Sequence, residues 1–214
     1  MHALVVVAHP RPASVTHAVA ARIAEGVRDA GHSAELADLA AEGFDPRFTE
    51  HDVAVHRERR SPSADVRAEQ ARIDRADALA LVYPVYWWSF PGLLKGWIDR
   101  VFSNGWAYDE VPGQPLAKKL QRLPVYLAAI GGADWRTYAR HGYFGAMRTQ
   151  IDHGIFDYCG AQVPRSELLL EPADGDWGEN FGIARALGAR IAREFSPTRQ
   201  RPSASPEPLP TGAR

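Results

Sequence analysis

The sequence predicts a doubly wound α/β sandwich built on a parallel sheet of five short strands. Apolar runs without polar alternation, such as Ala78-Leu79-Ala80-Leu81-Val82-Tyr83, recur along the chain. Between them lie stripes of apolar residues at helical spacing, and the two kinds of segment alternate five times. A strand that is apolar on both faces is covered on both faces, which a parallel sheet with helices on either side provides.

The first strand is read at Leu4 to Ala8, ended by His9-Pro10. Ser14 stands where a helix N-cap belongs, and Val15, Val19, Ile23 and Val27 recur every four residues until Gly31 supplies a stop. A short strand at Ala34 to Leu39 follows. Residues 43–65, with Pro46, Pro62 and the run His56-Arg57-Glu58-Arg59-Arg60, have little periodicity and read as a long surface excursion.

Val66 to Ala76 reads as a polar helix leading into the strand Ala78 to Tyr83. Pro91 suits the first turn of the next helix, whose stripe is Leu94, Trp97, Ile98, Val101 and Phe102. Two further pairs complete the alternation: strand Val125 to Ile130 with helix Tyr143 to Tyr158, and strand Glu167 to Leu170 with helix Phe181 to Phe195. A folded domain over residues 1–195 is thus expected, followed by a disordered Pro-rich tail over 196–214.

Composition narrows the function. Lys+Arg number 25 against 26 Asp+Glu, a formal charge of -1, which gives no electrostatic reason to expect nucleic acid as a partner. The single cysteine, Cys159, cannot form an internal disulfide, and no segment approaches the ~20 apolar residues of a membrane span. The expected setting is the cytoplasm, without stable membrane insertion. His51, Asp52 and His56 lack the helical His-x-x-x-His spacing of zinc sites, so no metal is expected. Cys159 is expected to be a small buried residue rather than a nucleophile.

In doubly wound sheets ligands bind beyond the carboxyl ends of the strands, which directs attention to three loops. After the first strand, His9-Pro-Arg-Pro-Ala-Ser14-Val15-Thr16 runs into a helix start, where free N–H groups and a partial positive charge suit a phosphate. Taken alone, a strand-end His and an ordinary Ser N-cap explain the same residues equally well. The loop matches neither G-x-G-x-x-G nor the P-loop pattern. After the third strand, Tyr83-Pro84-Val85-Tyr86-Trp87-Trp88-Ser89-Phe90 crowds aromatics at a place where the chain surfaces, which a planar ligand or a dimer contact explains better than core packing, the alternative. After the fourth, Ala129-Ile130-Gly131-Gly132 lets backbone approach a ligand, with Tyr138 and His141 beyond it.

These residues carry a resemblance. Tyr83-Pro-Val-Tyr-Trp-Trp-Ser-Phe-Pro-Gly-Leu-Leu-Lys-Gly-Trp-Ile-Asp-Arg-Val-Phe102 is similar to the signature of the flavodoxin-like NAD(P)H:quinone oxidoreductases, and the likeness runs from Ala8-His9 to about Val163, within Tyr-Cys-Gly-Ala-Gln-Val. It implies a flavodoxin-like five-stranded sheet of order 2-1-3-4-5 and a homodimer. It further implies a flavin, FAD with FMN as the alternative, which NAD(P)H reduces and a quinone-like acceptor reoxidises. By the same resemblance His9, Ser14, Val15 and Thr16 take the flavin phosphates. Pro84, Val85, Tyr86, Trp87 and Trp88 wrap its ring, and Ala129, Ile130, Gly131 and Gly132 lie along the pyrimidine edge. Gln70 reaches the cofactor across the dimer, which tilts the choice toward FAD. Trp106 and Tyr108 furnish a substrate pocket for the second subunit. Tyr138 and His141 are the catalytic pair, with Trp135 the alternative occupant of the tyrosine's place. The chain departs from the family where Ala129-Ile130 replaces the frequent Thr-Thr and Thr16 replaces Asn. An acidic flavodoxin-type electron carrier and a regulatory flavoprotein subunit of a membrane transporter are the rival readings.

Overall fold

The computed structural model describes residues 1–195. Its main sheet has five parallel strands: β1 (His2–Val7), β2 (Ser33–Asp38), β3 (Ala78–Pro84), β6 (Val125–Gly131) and β7 (Arg165–Leu170), in spatial order β2-β1-β3-β6-β7. Counted along the sheet's own strands, this is 2-1-3-4-5. The minor pair β4 (Tyr108–Asp109) and β5 (Ala117–Lys118) forms an antiparallel clip between β3 and β6 that the sequence pattern did not announce.

Each apolar strand feeds two layers. Leu4, Val6 and Ala8 of β1 and its exit join Trp97, Phe102 and Phe156 on one face, while Ala3, Val5 and Val7 join Val19, Ile23 and Ile191 on the other. The second layer consists of α1 (Val15–Asp29) and α7 (Gly178–Glu194), which touch through backbone. A Cβ on Gly26 would stand 2.0 Å from Arg185 O, and one on Gly188 2.0 Å from Ile23 O, so both positions need glycine for the helices to approach this closely. The first layer holds α3 (Ala64–Arg75) and α4 (Gly92–Val101).

The excursion over 43–65 contains a helix, α2 (Glu50–Glu58). Thr49 and Asp52 form a reciprocal capping box there, and only Asp52 and Val55 are buried, too thin a stripe to show as periodicity. Arg100 of α4 anchors this region: its guanidinium donates to Asp52, to Asp65 Oδ2 at 2.8 Å, to Asp45 O at 2.8 Å and to Ser63 Oγ at 3.1 Å. His51 and His56 are likewise spent locally, on Ser61 O and on Tyr108 Oη with Asp99 O.

The crossover from β6 to β7 is more divided than the single helix expected at Tyr143 to Tyr158. Asp134 caps α5 (Trp135–His141), Gly142 turns the chain with φ 69°, α6 (Tyr143–Met147) follows, and residues Arg148–Asp157 widen into a π-helix. The buried residues of that stretch are Ile151 and Phe156, five apart, the spacing that i→i+5 winding brings to one face. Ile155, on the stripe that α-helical spacing predicts, is only half-buried. The last helix begins at Gly178 rather than Phe181, and the final strand at Arg165 rather than Glu167. The tail expected over 196–214 lies outside the described residues.

Candidate active site at the carboxyl edge of the sheet

Three of the predicted loops converge where β1, β3 and β6 end. Ser14 caps α1 in extended conformation, φ -81° and ψ 160°, with its Oγ accepting the His17 N–H. The Val15 and Thr16 N–H groups in the first turn have no intrahelical acceptor, and Thr16 is buried. His9 Nδ1 lies 3.0 Å from the Arg11 backbone nitrogen and 3.3 Å from the Arg11 carbonyl oxygen, so both of its local contacts are made by that one ring nitrogen.

Beyond β3 the chain makes a two-residue reversal. Tyr86 and Ser89 exchange backbone hydrogen bonds at 3.2 and 3.1 Å, and the residues between them, Trp87 and Trp88, have φ of 50° and 59°. Positive φ at both central positions is the I′ pattern, which favours Asn and Gly. Two consecutive tryptophans are costly occupants, and backbone of this kind concentrates at functional sites. Packing holds only one of them. The Trp88 ring stacks on Tyr143 at 3.6 Å and 12° and meets Tyr138 edge-on at 5.2 Å, whereas Trp87 is 93% exposed.

At the end of β6, Val85 N–H donates to Ile130 O at 2.8 Å and binds the aromatic loop to the glycine pair. A Cβ on Gly132 would meet nothing within 4 Å, so this backbone faces open space. Val85, Trp87, Trp88, Gly132, Ala133 and Tyr138 wall a cleft of about 170 Å³. Tyr138 is buried, and burial pushes its hydroxyl pKa up, so at neutral pH it remains a donor. A second crevice of about 290 Å³ lies between sheet and crossover, with Trp135, Phe144 and Ile151 in its walls. Trp135 packs on Phe144 at 4.4 Å and is 62% exposed; Tyr138 is the aromatic against the glycine pair.

Other predicted residues lie apart. His141 rests against Tyr143, 5.3 Å between ring centroids, at the end of α5. Gln70 is buried, with Nε2 donating to Val101 O at 2.9 Å and Ser103 Oγ at 3.1 Å, so its amide N–H groups serve its own chain rather than an outward surface. Trp106 and Tyr108 sit in the β3–β6 connection and are bonded to Asp74 and His56, away from the cleft of their own chain. Cys159 is buried and its thiol is pushed up to about 11 by desolvation, a poor nucleophile. Tyr143, His17 and Asp38 complete the neighbourhood and were not singled out from sequence, because their partners are joined only by the fold.

Strand order and an aromatic cleft at the carboxyl edge together define a flavodoxin-like protein. A family model described as the flavodoxin-like fold matches residues 1–180. The ribosyldihydronicotinamide dehydrogenase [quinone] of Homo sapiens is 28% identical over 88% of this chain and 89% of its own. An uncharacterised NAD(P)H oxidoreductase of Escherichia coli is 32% identical over 78% of both chains. The solved NAD(P)H:quinone oxidoreductase of Methanothermobacter marburgensis superposes with a TM-score of 0.81 at 28% identity, covering 89% of this chain and 98% of that one. The chain belongs to the flavodoxin-like NAD(P)H:quinone oxidoreductase family. Among the described residues no helix is long and apolar enough to cross a membrane.

The residues present fit a flavin. An exposed indole stands beside backbone that carries no Cβ, a protonated phenol closes the cleft, and a helix start with hydroxyl donors lies on the same sheet edge.

Proposed function

We propose that the protein is a flavin-dependent NAD(P)H oxidoreductase that passes two electrons from a reduced nicotinamide to a quinone-type acceptor. The observation that carries the reading is the strained Trp87-Trp88 reversal set against Gly131-Gly132 and Tyr138. A bound flavin supplies the two-electron relay between donor and acceptor. Val15 and Thr16 N–H groups, the Ser14 hydroxyl and the His9 ring take its phosphate. Pro84 to Trp88 flank the ring, Ala129 to Gly132 offer backbone to its edge, and the Tyr138 hydroxyl donates toward negative charge there. His141, tilted against Tyr143 with ring centroids 5.3 Å apart, is the second group that the resemblance assigns to this charge. FAD is the cofactor proposed from the resemblance, with FMN as the alternative; the inward Gln70 lends no support to that choice, which the mass of the released cofactor decides. The proposed assembly is a homodimer in which Trp106 and Tyr108 of each subunit cover the substrate face of the other.

Purified protein is expected to be yellow, to oxidise NAD(P)H when a quinone such as menadione is added, and to give parallel double-reciprocal lines, as one site used in turn requires. Intersecting lines overturn the shared site. A yellow protein without turnover supports the electron carrier, and a colourless protein that binds no flavin overturns the assignment.

A further inference from the structure

Three side chains that no sequence motif joins meet beside the first turn of α1. His17 is part-buried, with Nδ1 2.8 Å from Ser14 Oγ and Nε2 2.9 Å from Asp38 Oδ2. Asp38 ends β2, and its Oδ1 accepts the Ala40 and Ala41 N–H groups, each at 3.1 Å. Burial pulls the Asp38 pKa upward, but the Ala41 N–H, the His17 ring and the Ala40 N–H outweigh it and hold the carboxyl below its ordinary value. Asp38 is therefore a carboxylate throughout the range in which imidazoles titrate, and it keeps a hydrogen on His17 Nε2 in both states of the ring. Only the bond between Nδ1 and Ser14 can reverse its direction.

With the ring neutral, Nδ1 offers a lone pair and takes the one hydroxyl hydrogen of Ser14. The same Oγ accepts the His17 backbone N–H at 3.3 Å, so Ser14 then has nothing to donate to an anion. With the ring protonated, Nδ1–H donates to Oγ, the hydroxyl hydrogen is released, and a positive charge joins the first-turn N–H groups. The titratable side chains facing the ring are Asp38 from the end of β2 and His9 from the loop after β1, the latter with ring centroids 6.2 Å apart.

We propose that His17 is a positioning residue for a phosphate-bearing ligand: its protonation, supported by Asp38, turns the Ser14 hydroxyl from a donor spent inside the protein into one available to the phosphate. The inference rests on the flavin reading, which places the cofactor phosphate at the start of α1. Phosphate binding and His17 protonation then strengthen each other, as linkage demands.

Calorimetric titration of the apoprotein with FMN and with riboflavin, which has the ring system but no phosphate, tests this. In two buffers of different ionisation enthalpy, compared at about pH 7.5, FMN binding takes up protons and riboflavin binding does not. The affinity of wild type for FMN relative to His17→Gln falls about tenfold between about pH 6 and pH 8.5, the loss of one charge-assisted bond. FMN bound without proton uptake, or a wild-type to His17→Gln ratio that is flat with pH, overturns the role of His17 and leaves the flavin reading standing. Absent uptake in wild type overturns the role without any variant; uptake that persists unchanged in His17→Gln, or in Asp38→Asn should His17→Gln fail to fold, belongs to His9 or to the phosphate and overturns it too. Binding of neither FMN, FAD nor riboflavin overturns the flavin reading and this inference with it.

Discussion

The Tyr138 hydroxyl lies directly over Gly131: a Cβ added to that glycine would stand 2.6 Å from the Tyr138 oxygen and 2.9 Å from Leu170 Cδ2. The last residue of β6 and the buried phenol of α5 are therefore fitted to one another, and Tyr138 reaches its place because this position has no side chain. Gly131→Ala is expected to push the phenol out of line, lowering stability by about 1–3 kcal/mol as overpacking does. Turnover falls further than that loss explains. Denaturant unfolding beside kcat/KM at saturating flavin checks it; a variant with unchanged kcat/KM overturns the fit.

Removing the hydroxyl alone separates chemistry from packing. Tyr138→Phe keeps the edge-on contact with Trp88 and is expected to lower kcat/KM on the order of 10²-fold, the magnitude found for one lost donor to a developing anion. Its unfolding midpoint should stay close to wild type. Because burial raises the Tyr138 pKa, the donor survives to the alkaline side of the ordinary phenol range, so this contribution persists through neutral pH.

Strain at Trp87 predicts opposite changes in stability and binding. The residue is 93% exposed with φ 50°, so it contributes little packing and occupies a conformation that costs about 1 kcal/mol or more for a side chain. Trp87→Gly should raise the melting temperature of the apoprotein while weakening flavin affinity. A variant that melts lower and binds flavin as tightly as wild type contradicts both halves.

Arg100 and Asp52 form a buried pair, with side chains 7% and 4% exposed. Arg100→Met leaves Asp52 without its cation and is expected to cost about 3–5 kcal/mol. Burial alone would raise the Asp52 pKa, yet bonds from Thr49 and the charge of Arg100 leave it lowered. A lowered folded pKa stabilises above the unfolded value near 4 and loses that contribution as pH falls through the folded pKa. Wild-type stability should thus fall on acidification below about pH 4 more steeply than that of Asp52→Asn. Equal acid slopes in urea titrations would show that Asp52 contributes nothing to pH dependence.

The sequence by itself determined the sheet and the edge at which the loops after its strands emerge. Strands such as Ala3–Val7 and Ala78–Tyr83 are buried on both faces, so their apolar runs have no alternative placement, and the residues that follow them must emerge at one edge. The glycine pair and the aromatic loop were legible for that reason. Helix α2 was not, because two buried residues leave no stripe and its cap uses Asp52 in place of Glu or Gln. Nor was the I′ reversal at Trp87-Trp88, since tryptophan carries no preference for positive φ and packing against Tyr143 and Tyr138 overrides its local cost. Tertiary structure alone decided that Gln70 turns inward and that His17 meets Asp38, a residue delivered by the parallel pairing of β1 with β2. Local pattern records whether a side chain is apolar. Which polar atom it faces depends on a strand that arrives from elsewhere in the chain.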